Sequence, residues 1–254
     1  MNMLAGTILG LLLFAGSAVP ALAGQREDFI AGLSRDCPGC DLAGVNKKRA
    51  DLTGADLTGA NLAGANFHDA DLSSAKLAGA NLVNANLNIA TLREADLTGA
   101  DLTGAMLYGS VLARANLKGA KMTGIKGQKS DLTGADMTRA VSNNADLRLA
   151  RIASARMAES EFLNGRFDEA NLRRVDLTDA KMEGGSLAFV VLQGSNLTRT
   201  NFRSCDLYEA DLTDALIEST DFSGARLQQA RVLEEELSSA TLSGTILPNG
   251  RTSN

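Results

Sequence analysis

The sequence has no tryptophan, and its 254 residues include only two tyrosines and eight phenylalanines, so aromatic residues make up 4% of the chain. Aromatic side chains usually supply much of the core of a globular protein of this length. Hydrophobic residues nevertheless reach an ordinary 44%. We therefore expect a core that is built from small and uniform side chains.

Proline and histidine are also scarce. No proline occurs between Pro38 and Pro248, and because proline cannot donate to a β ladder, this gap is compatible with a long hydrogen-bonded sheet. A Ser-His-Asp triad could use only His68, the single histidine, which we expect to be solvated. With no other nucleophile–base pair or independent glycine-rich phosphate loop, we predict that the protein is not an enzyme and uses no cofactor or metal.

The chain has no excess of positive charge. Its 25 Lys and Arg residues against 30 Asp and Glu residues give a formal net charge of −5. This mild acidity argues against nonspecific binding to the phosphate backbone of nucleic acid. We predict that nucleic acid is not a partner.

Residues 1–23 are uncharged and are typical of a secretory signal peptide. An apolar or small-residue run over 4–19 precedes an A-x-A cleavage site. The run is shorter than the roughly 20 apolar residues that span a bilayer. We expect cleavage between Ala23 and Gly24, export to the periplasm or the medium, and no stable membrane insertion afterwards. A retained N-terminal anchor is the alternative.

The rest of the chain is dominated by a five-residue unit. Residues 50–65 read ADLTGADLTGANLAGA, and the same frame holds from 41 to 250, which is 42 units. We call the middle residue of each unit the centre, and 39 of the 42 centres are Leu, Ile, Val, Met or Phe. A small residue, most often Ala, lies two positions before the centre, and Asp or Asn often lies just before it. The exceptional centres are Lys47, Gly127 and Ser142.

A period of five indicates a chain that turns a corner in every unit. Residues two apart in an extended chain point to the same face, so the small residue and the centre both face inward and the intervening Asp or Asn faces outward. The last two residues form a turn, in which Gly two positions after the centre supplies the positive φ of a type II turn. A helix or a plain strand would not keep every centre on one side.

This A-(D/N)-L-x-x pattern resembles the pentapeptide-repeat family over residues 41–250. The resemblance implies an all-β fold, a right-handed quadrilateral β-helix with four units, or 20 residues, in each coil. The 42 units then correspond to about ten coils, which at the usual strand spacing give a rod roughly 50 Å long.

The charges give a separate indication of a 20-residue coil. Nine units replace the outward Asp or Asn by a base, and each of the nine bases has an acid 20 residues away in the sequence. An offset of 15 residues places an acid beside only three of them, and an offset of 25 beside seven. We expect these pairs to set the coil register and to add little stability. The bases are Lys76, Lys121, Lys126, Arg151, Arg156, Arg166, Lys181, Arg226 and Arg231.

The open N-terminal end of a solenoid needs a cover. We assign residues 24–40 to an N-terminal cap with a short helix, because Phe29, Ile30 and Leu33 are spaced like one apolar helical face. The repeat array follows over 41–250, and 251–254 form a tail.

Cys37 and Cys40 form a C-x-x-C motif, which is compatible with a structural disulfide, thiol–disulfide exchange or half of a zinc site. In an exported protein a local bridge or a pair of cap thiols is the simplest interpretation. The third cysteine, Cys205, occupies an inward small-residue position, and we expect it to replace an alanine in the core.

Two stretches of the array are irregular. Gly127 and Ser142 flank a coil in which Ile125 occupies a small-residue position, so we predict a bulge or slight kink over 124–145. The second stretch, in the acidic C-terminal part, would place Glu235 in an inward position. We predict that the last coils are frayed or covered by a partner, and that the candidate partner site comprises Glu234, Glu235 and Glu236.

These features favour an exported, non-enzymatic solenoid that binds a protein or cell-envelope partner. The resemblance adds a second hypothesis, since some family members mimic DNA, bind DNA gyrase and confer quinolone resistance. The predicted export, the mixed charge of residues 111–181 with 13 bases against 9 acids, and the lack of a helical dimerisation segment in 247–254 argue against it. The third hypothesis is a thiol-redox accessory protein that uses Cys37 and Cys40.

Overall fold

The computed structural model describes residues 19–233 and 235–254. Its backbone winds as a β-helix solenoid in which parallel bridges join outward residues that are 20 positions apart. Asp41 pairs with Asn61, and Asn61 pairs in turn with Asn81. Four outward residues occur in each 20-residue coil, at the spacing that the charge pattern predicted.

Each unit uses its backbone hydrogen bonds in the same way. The amide of the centre Leu52 donates to Asp71 of the next coil over 2.7 Å, and Gly54 donates to Ser73 over 2.8 Å. Ala55 donates back to Leu52 over 3.0 Å and closes the turn, with Gly54 at φ +68° as the type II geometry requires. Because the chain turns every five residues, the bridges stay isolated, and no longer strand forms in the part of the chain that the structure describes.

The outward Asp or Asn has a local structural role that the five-residue pattern did not reveal. Its Oδ1 accepts the backbone amide two residues later, at the start of the turn. Asp131, for example, accepts the Thr133 amide over 3.1 Å and the Thr133 hydroxyl over 2.6 Å. This contact explains why Asp and Thr recur two positions apart in the repeat.

The inward positions form one continuous core. Centres such as Leu57 and small residues such as Ala60 are fully buried along the array. Larger side chains pair where space permits, as in the parallel stack of Phe202 on Phe222, whose ring centroids lie 5.6 Å apart. The predicted core of small, uniform side chains is therefore present, with a few phenylalanines added.

One helix, α1 (Val19–Ala31), lies against the N-terminal end of the solenoid. It ends at Gly32, which has φ +77°, while the Leu33 amide donates to the Asp28 carbonyl over 2.8 Å. The predicted three-residue apolar face is wrong. Only Phe29 is buried, while Ile30 is 46% exposed and Leu33, beyond the helix end, is 80% exposed, because only one side of α1 contacts the solenoid.

Lys47 explains its own departure from the centre pattern. Its ammonium donates to the carbonyl oxygens of Phe29 and Ile30, the latter over 3.3 Å, and lies 4.6 Å from the Phe29 ring centroid. A cation is favourable at the carbonyl end of a helix. Burial lowers the pKa of Lys47. The position that would hold an apolar centre therefore fastens α1 to the first coils.

The predicted bulge over 124–145 is wrong, since the bridges continue through this coil without a break. Leu147 from the next coil fills the space beside Gly127, with its Cδ2 2.9 Å from where a Cβ would lie. Ser142 donates its hydroxyl to the Met122 carbonyl over 3.3 Å, and Ile125 is buried. Neighbouring side chains thus compensate for the exceptional centres locally.

The real interruption lies near the C-terminus. A 3₁₀ helix (Glu236–Ser239) replaces one side of a coil, although Leu237 remains buried. Parallel bridges resume at Thr241 and Ile246, so the 20-residue register survives. The predicted separate tail folds back, because Thr252 pairs antiparallel with Ile246.

The predicted signal peptide can be followed only in part, because residues 1–18 lie outside the described residues. The predicted cleavage point between Ala23 and Gly24 falls within α1. Across the residues that the structure describes, no helix has both the length and the apolar character to cross a membrane.

Candidate interaction surface

The outward charges are largely paired with one another from coil to coil. Seven of the nine outward bases contact the acid one coil earlier, as the sequence predicted. The two exceptions are Lys121 and Lys126, for which the described part of the chain offers no ion pair. The pairs are Lys76–Asp56, Arg151–Asp131, Arg156–Asp136, Arg166–Asp146, Lys181–Glu161, Arg226–Asp206 and Arg231–Asp211.

Asp136 is the most strongly held of these acids. Its carboxylate accepts the Thr138 hydroxyl over 2.6 Å and contacts Arg156 at 2.6 Å and Lys118 at 3.1 Å. Burial alone would raise the pKa of Asp136. The hydrogen bonds from Thr138, Lys118 and Arg156 outweigh that effect and lower the pKa to about 2. This cluster is fully satisfied and joins three coils.

A different surface follows one edge of the solenoid, where turn residues stack at 20-residue intervals. Large apolar side chains recur there, and four of them are 44–47% exposed. In contrast, Val141 is the single exposed large hydrophobic residue elsewhere in the described array up to residue 215. We call this surface the aromatic edge and define it by Ile89, Tyr108, Leu149, Phe189 and Tyr208.

Three residues of the aromatic edge have an unfavourable backbone conformation. Ile89, Leu149 and Phe189 have φ values of +51°, +60° and +59°. Every other left-handed position among the described residues holds glycine or a polar residue. The left-handed region costs an ordinary L-residue roughly 1–2 kcal/mol. Neither burial nor backbone preference therefore accounts for these three side chains.

The edge is held together by direct contacts between coils. The Ile89 amide donates to the Tyr108 carbonyl over 2.8 Å. Phe189 packs edge-to-face on Tyr208, with ring centroids 5.6 Å apart, and Arg226 lies 4.2 Å above the Tyr208 ring. These contacts fix the orientation of the rings, so the edge presents a preorganised apolar surface to solvent.

The predicted cysteine motif lies inside the first coil. The sulfur atoms of Cys37 and Cys40 are at bonding distance, their Cα atoms are 5.4 Å apart, and both residues are buried. Cys37 occupies a centre position and Cys40 the next small-residue position. The Cys37 amide donates to the Asp56 carbonyl over 2.8 Å, so coil-to-coil bonding begins four residues before the predicted array boundary.

Cys205 is buried in the core, where the sequence placed it. Its Sγ lies 3.1 Å from the Met182 carbonyl oxygen, in the arrangement by which the Thr200 hydroxyl donates to the Leu177 carbonyl over 2.8 Å. Burial raises the pKa of the Cys205 thiol to about 12. This cysteine is a packing residue and not an available nucleophile.

The predicted acidic partner site is not assembled as expected. Glu234 lies outside the described residues. Glu235 is exposed and does not occupy an inward position, because the chain has left the coil path there. Glu236 is half-buried and accepts the Leu233 amide over 3.1 Å, which ties it to the start of the 3₁₀ helix.

The structure brings no catalytic constellation together. His68 is half-exposed on a turn of the same edge as Tyr108. Across residues 19–233 and 235–254, no group of three or more His, Cys, Asp or Glu side chains could hold a metal ion. The open grooves lie between stacked turns, such as the one lined by Arg173, Arg174 and Asp214.

The aromatic edge was missed in the sequence because the five-residue period pools all four edges of the solenoid. Arranged in rows of 20, the same letters place Ile89, Leu149 and Phe189 in one column, with Tyr108 and Tyr208 in the column before it. The signal was therefore present, and it required the coil length to be used as the period.

The family described as pentapeptide repeats matches the chain in eight copies over residues 50–88, 90–124, 150–187 and 186–224. No curated protein sequence matches it. Among solved structures, the chain is similar to HetL, a pentapeptide repeat protein involved in heterocyst differentiation regulation from the cyanobacterium Nostoc sp. strain PCC 7120. That match has 27% identity over 91% of this chain and 98% of the other, with a TM-score of 0.36.

Two further solved structures are similar over smaller shares of the chain. The pentapeptide repeat protein Rfr23 from the cyanobacterium Cyanothece 51142 has 33% identity over 44% of this chain and 93% of the other, with a TM-score of 0.27. Full-length QnrB1, a plasmid-mediated fluoroquinolone resistance protein, has 16% identity over 69% of this chain and 80% of the other, with a TM-score of 0.44.

Proposed function

This chain belongs to the pentapeptide-repeat family, and from that membership we propose that it is an exported, non-enzymatic scaffold that binds a partner protein or a component of the cell envelope through the aromatic edge. The finer architecture we propose is a right-handed rod of about ten coils, four units to a coil, with α1 as its N-terminal cap. After signal cleavage the helix keeps Phe29, the residue that contacts the solenoid.

The observation that carries this proposal is the placement of Ile89, Leu149 and Phe189. Each combines an exposed apolar side chain with a left-handed backbone, and all three lie on one edge. A sequence that needed only to fold would favour Gly or Asn at these positions. Residues that are unfavourable in the free protein are explained when their contacts are made with a partner.

A triple variant separates binding from folding. In Ile89→Asn/Leu149→Asn/Phe189→Asn we expect an unfolding free energy equal to or above that of the wild type, because Asn tolerates positive φ better than the apolar residues do. We expect partner binding to fall at least about tenfold because the apolar contact surface is lost. Denaturant unfolding and affinity measurement with the purified partner check the two halves of the prediction.

Photo-crosslinking identifies that partner and supplies the control. A benzophenone amino acid is placed at Tyr108 or Phe189, and in matched variants at Val141 or Leu216, which are exposed apolar residues away from the edge. A product that forms from the two edge positions and is absent from the two control positions supports the proposal. Equal products from both sets, or a less stable triple variant that binds normally, contradict it.

The two other hypotheses have weaker support. A DNA mimic needs unpaired negative charge along its surface, whereas here many acids are neutralised by bases on the neighbouring coil, as Asp136 is by Arg156. A thiol-redox role needs a sulfur atom that a partner thiol can reach, and Cys37 and Cys40 are both buried.

We expect the cysteines to report the compartment. In the exported protein, Cys37 and Cys40 form a disulfide, and Cys205 is protected because burial raises its pKa to about 12. Alkylation in the cell should therefore label no cysteine in the native protein. Alkylation after denaturation should label Cys205 alone, and reduction should then expose all three. The intact mass should begin at Gly24.

The mass measurement has a clear contrary outcome. A chain that begins at Met1, with Cys37 and Cys40 alkylated after denaturation without a reductant, places the protein in a reducing compartment. That result removes export from the proposal and leaves the aromatic edge as a separate question, because its crosslinking test does not depend on the compartment.

A further inference from the structure

We propose that one part of the aromatic edge binds an acidic segment of a partner protein that also carries exposed apolar side chains. This part, the basic segment, is defined by Ile89, Tyr108, Lys126, Lys129 and Leu149. The inference rests on the proposed function, since it names the chemistry of the partner for the same surface.

The first argument is a local excess of positive charge. Residues 112–130 contain five bases and no acid. Arg114 contacts Glu94 at 3.4 Å and Lys118 contacts Asp136 at 3.1 Å, so acids on neighbouring coils neutralise these two. The other three bases have no ion pair among the described residues, and two of them, Lys126 and Lys129, lie at the aromatic edge.

The second argument is that the natural partner of Lys126 is already occupied. Its bridge neighbours are Met106 and Asp146. The Asp146 carboxylate accepts Gln128 over 2.7 Å, contacts Arg148 at 2.7 Å and lies 3.6 Å from Arg166. Lys126 is thus left beside an apolar side chain and a carboxylate that other groups hold, with its ammonium directed to solvent.

The third argument is the combination of charge with apolar surface. Lys129 lies 5.8 Å from the Tyr108 ring centroid, and its amide donates to the Arg148 carbonyl, one residue before Leu149. Ile89 and Leu149 are three coils apart, which is about 14 Å at the usual strand spacing. That span fits about four extended residues or ten helical residues of a partner. Carboxylates would meet Lys126 and Lys129 while apolar side chains pack beside Tyr108, Ile89 and Leu149.

The surroundings favour an acidic protein segment over nucleic acid. Asp168 and Glu169 follow Leu149 on the next coil, so the cationic stretch is short. Binding to a nucleic-acid backbone needs several bases along a run of phosphates. Aliphatic side chains such as Ile89 and Leu149 pack well against apolar protein side chains, and they offer little to a phosphate backbone.

Fluorescence anisotropy with a labelled glutamate-rich peptide that contains two leucines tests this inference on the full chain. We expect the wild type to bind, binding to weaken as ionic strength rises, and Lys126→Gln/Lys129→Gln to bind about tenfold more weakly. Tyr108→Ser should also weaken binding. The matched control is Lys121→Gln, which removes an exposed, unpaired base from the same coil away from this edge and should bind like the wild type.

Several outcomes overturn the inference. They are no binding of the peptide, an equal loss in Lys121→Gln and Lys126→Gln, equal binding of a peptide with serines in place of the leucines, or tighter binding of a DNA duplex that the same lysines control. Unfolding midpoints of the variants confirm that these surface changes leave the fold intact. If the peptide fails while crosslinks still form at Tyr108 and Phe189, the proposed function stands and the acidic chemistry of the partner is wrong.

Discussion

Phe202→Ala is expected to lower the free energy of unfolding by about 3–5 kcal/mol. Phe202 is fully buried and stacks on Phe222 with an angle of 6° between the rings, so truncation removes apolar contacts and leaves a cavity between two coils. Denaturant unfolding measures the loss. Because each coil contacts only its neighbours, hydrogen exchange should accelerate most in the coils on either side of Phe202.

Phe189→Ala provides the control, because it deletes the same side chain from a position that is 47% exposed. The lost contact with Tyr208 is worth about 1 kcal/mol. Equal losses in the two variants, or uniform acceleration of exchange along the whole rod, would contradict a core organised by inward centres and neighbour contacts.

The repeating part of the fold could be predicted from the sequence because local chemistry dictates it. The alternation of small residue, outward residue and centre in a unit such as Ala50 to Gly54 specifies two inward side chains and one turn. The coil length followed from charges such as Asp136 and Arg156, which the structure joins at 2.6 Å. Both features repeat, so each unit provides the same signal again.

Features that depend on a single tertiary contact were not predictable in this way. Lys47 looked like a defect until α1 supplied carbonyl groups for its ammonium. Gly127 suggested a bulge because the sequence does not show that Leu147 fills the gap. The 3₁₀ helix (Glu236–Ser239) was missed because Leu237 keeps the five-residue frame while the backbone leaves the coil.

The candidate surface escaped prediction for a different reason. Leu149 and Phe189 occupy a turn position where pooled five-residue statistics show a mixture of Gly and polar residues. Only the 20-residue coil separates their edge from the other three. Their functional interest then comes from φ and exposure together, which are properties of the folded backbone.

Asp136→Asn is expected to destabilise the protein by about 1–3 kcal/mol at neutral pH, because it removes a charged acceptor of several hydrogen bonds. Lys118 and Arg156 are themselves more than half exposed, so solvent screening reduces their share. The matched control is Asp69→Asn, which breaks the exposed pair with Arg49 at 3.3 Å and should cost about 0–1 kcal/mol.

The pH dependence of that difference identifies the carboxylate as its source. Folding lowers the pKa of Asp136 from an ordinary value of 3.8 to about 2, so its charged form stabilises the native state. The contribution is complete above pH 3.8 and is lost as the pH falls through 2. Unfolding measured from pH 7 down to pH 2 should therefore show the gap between wild type and Asp136→Asn narrowing below pH 4. A gap that stays constant over this range would mean that Asp136 stabilises the coils by packing alone and that its charge contributes nothing.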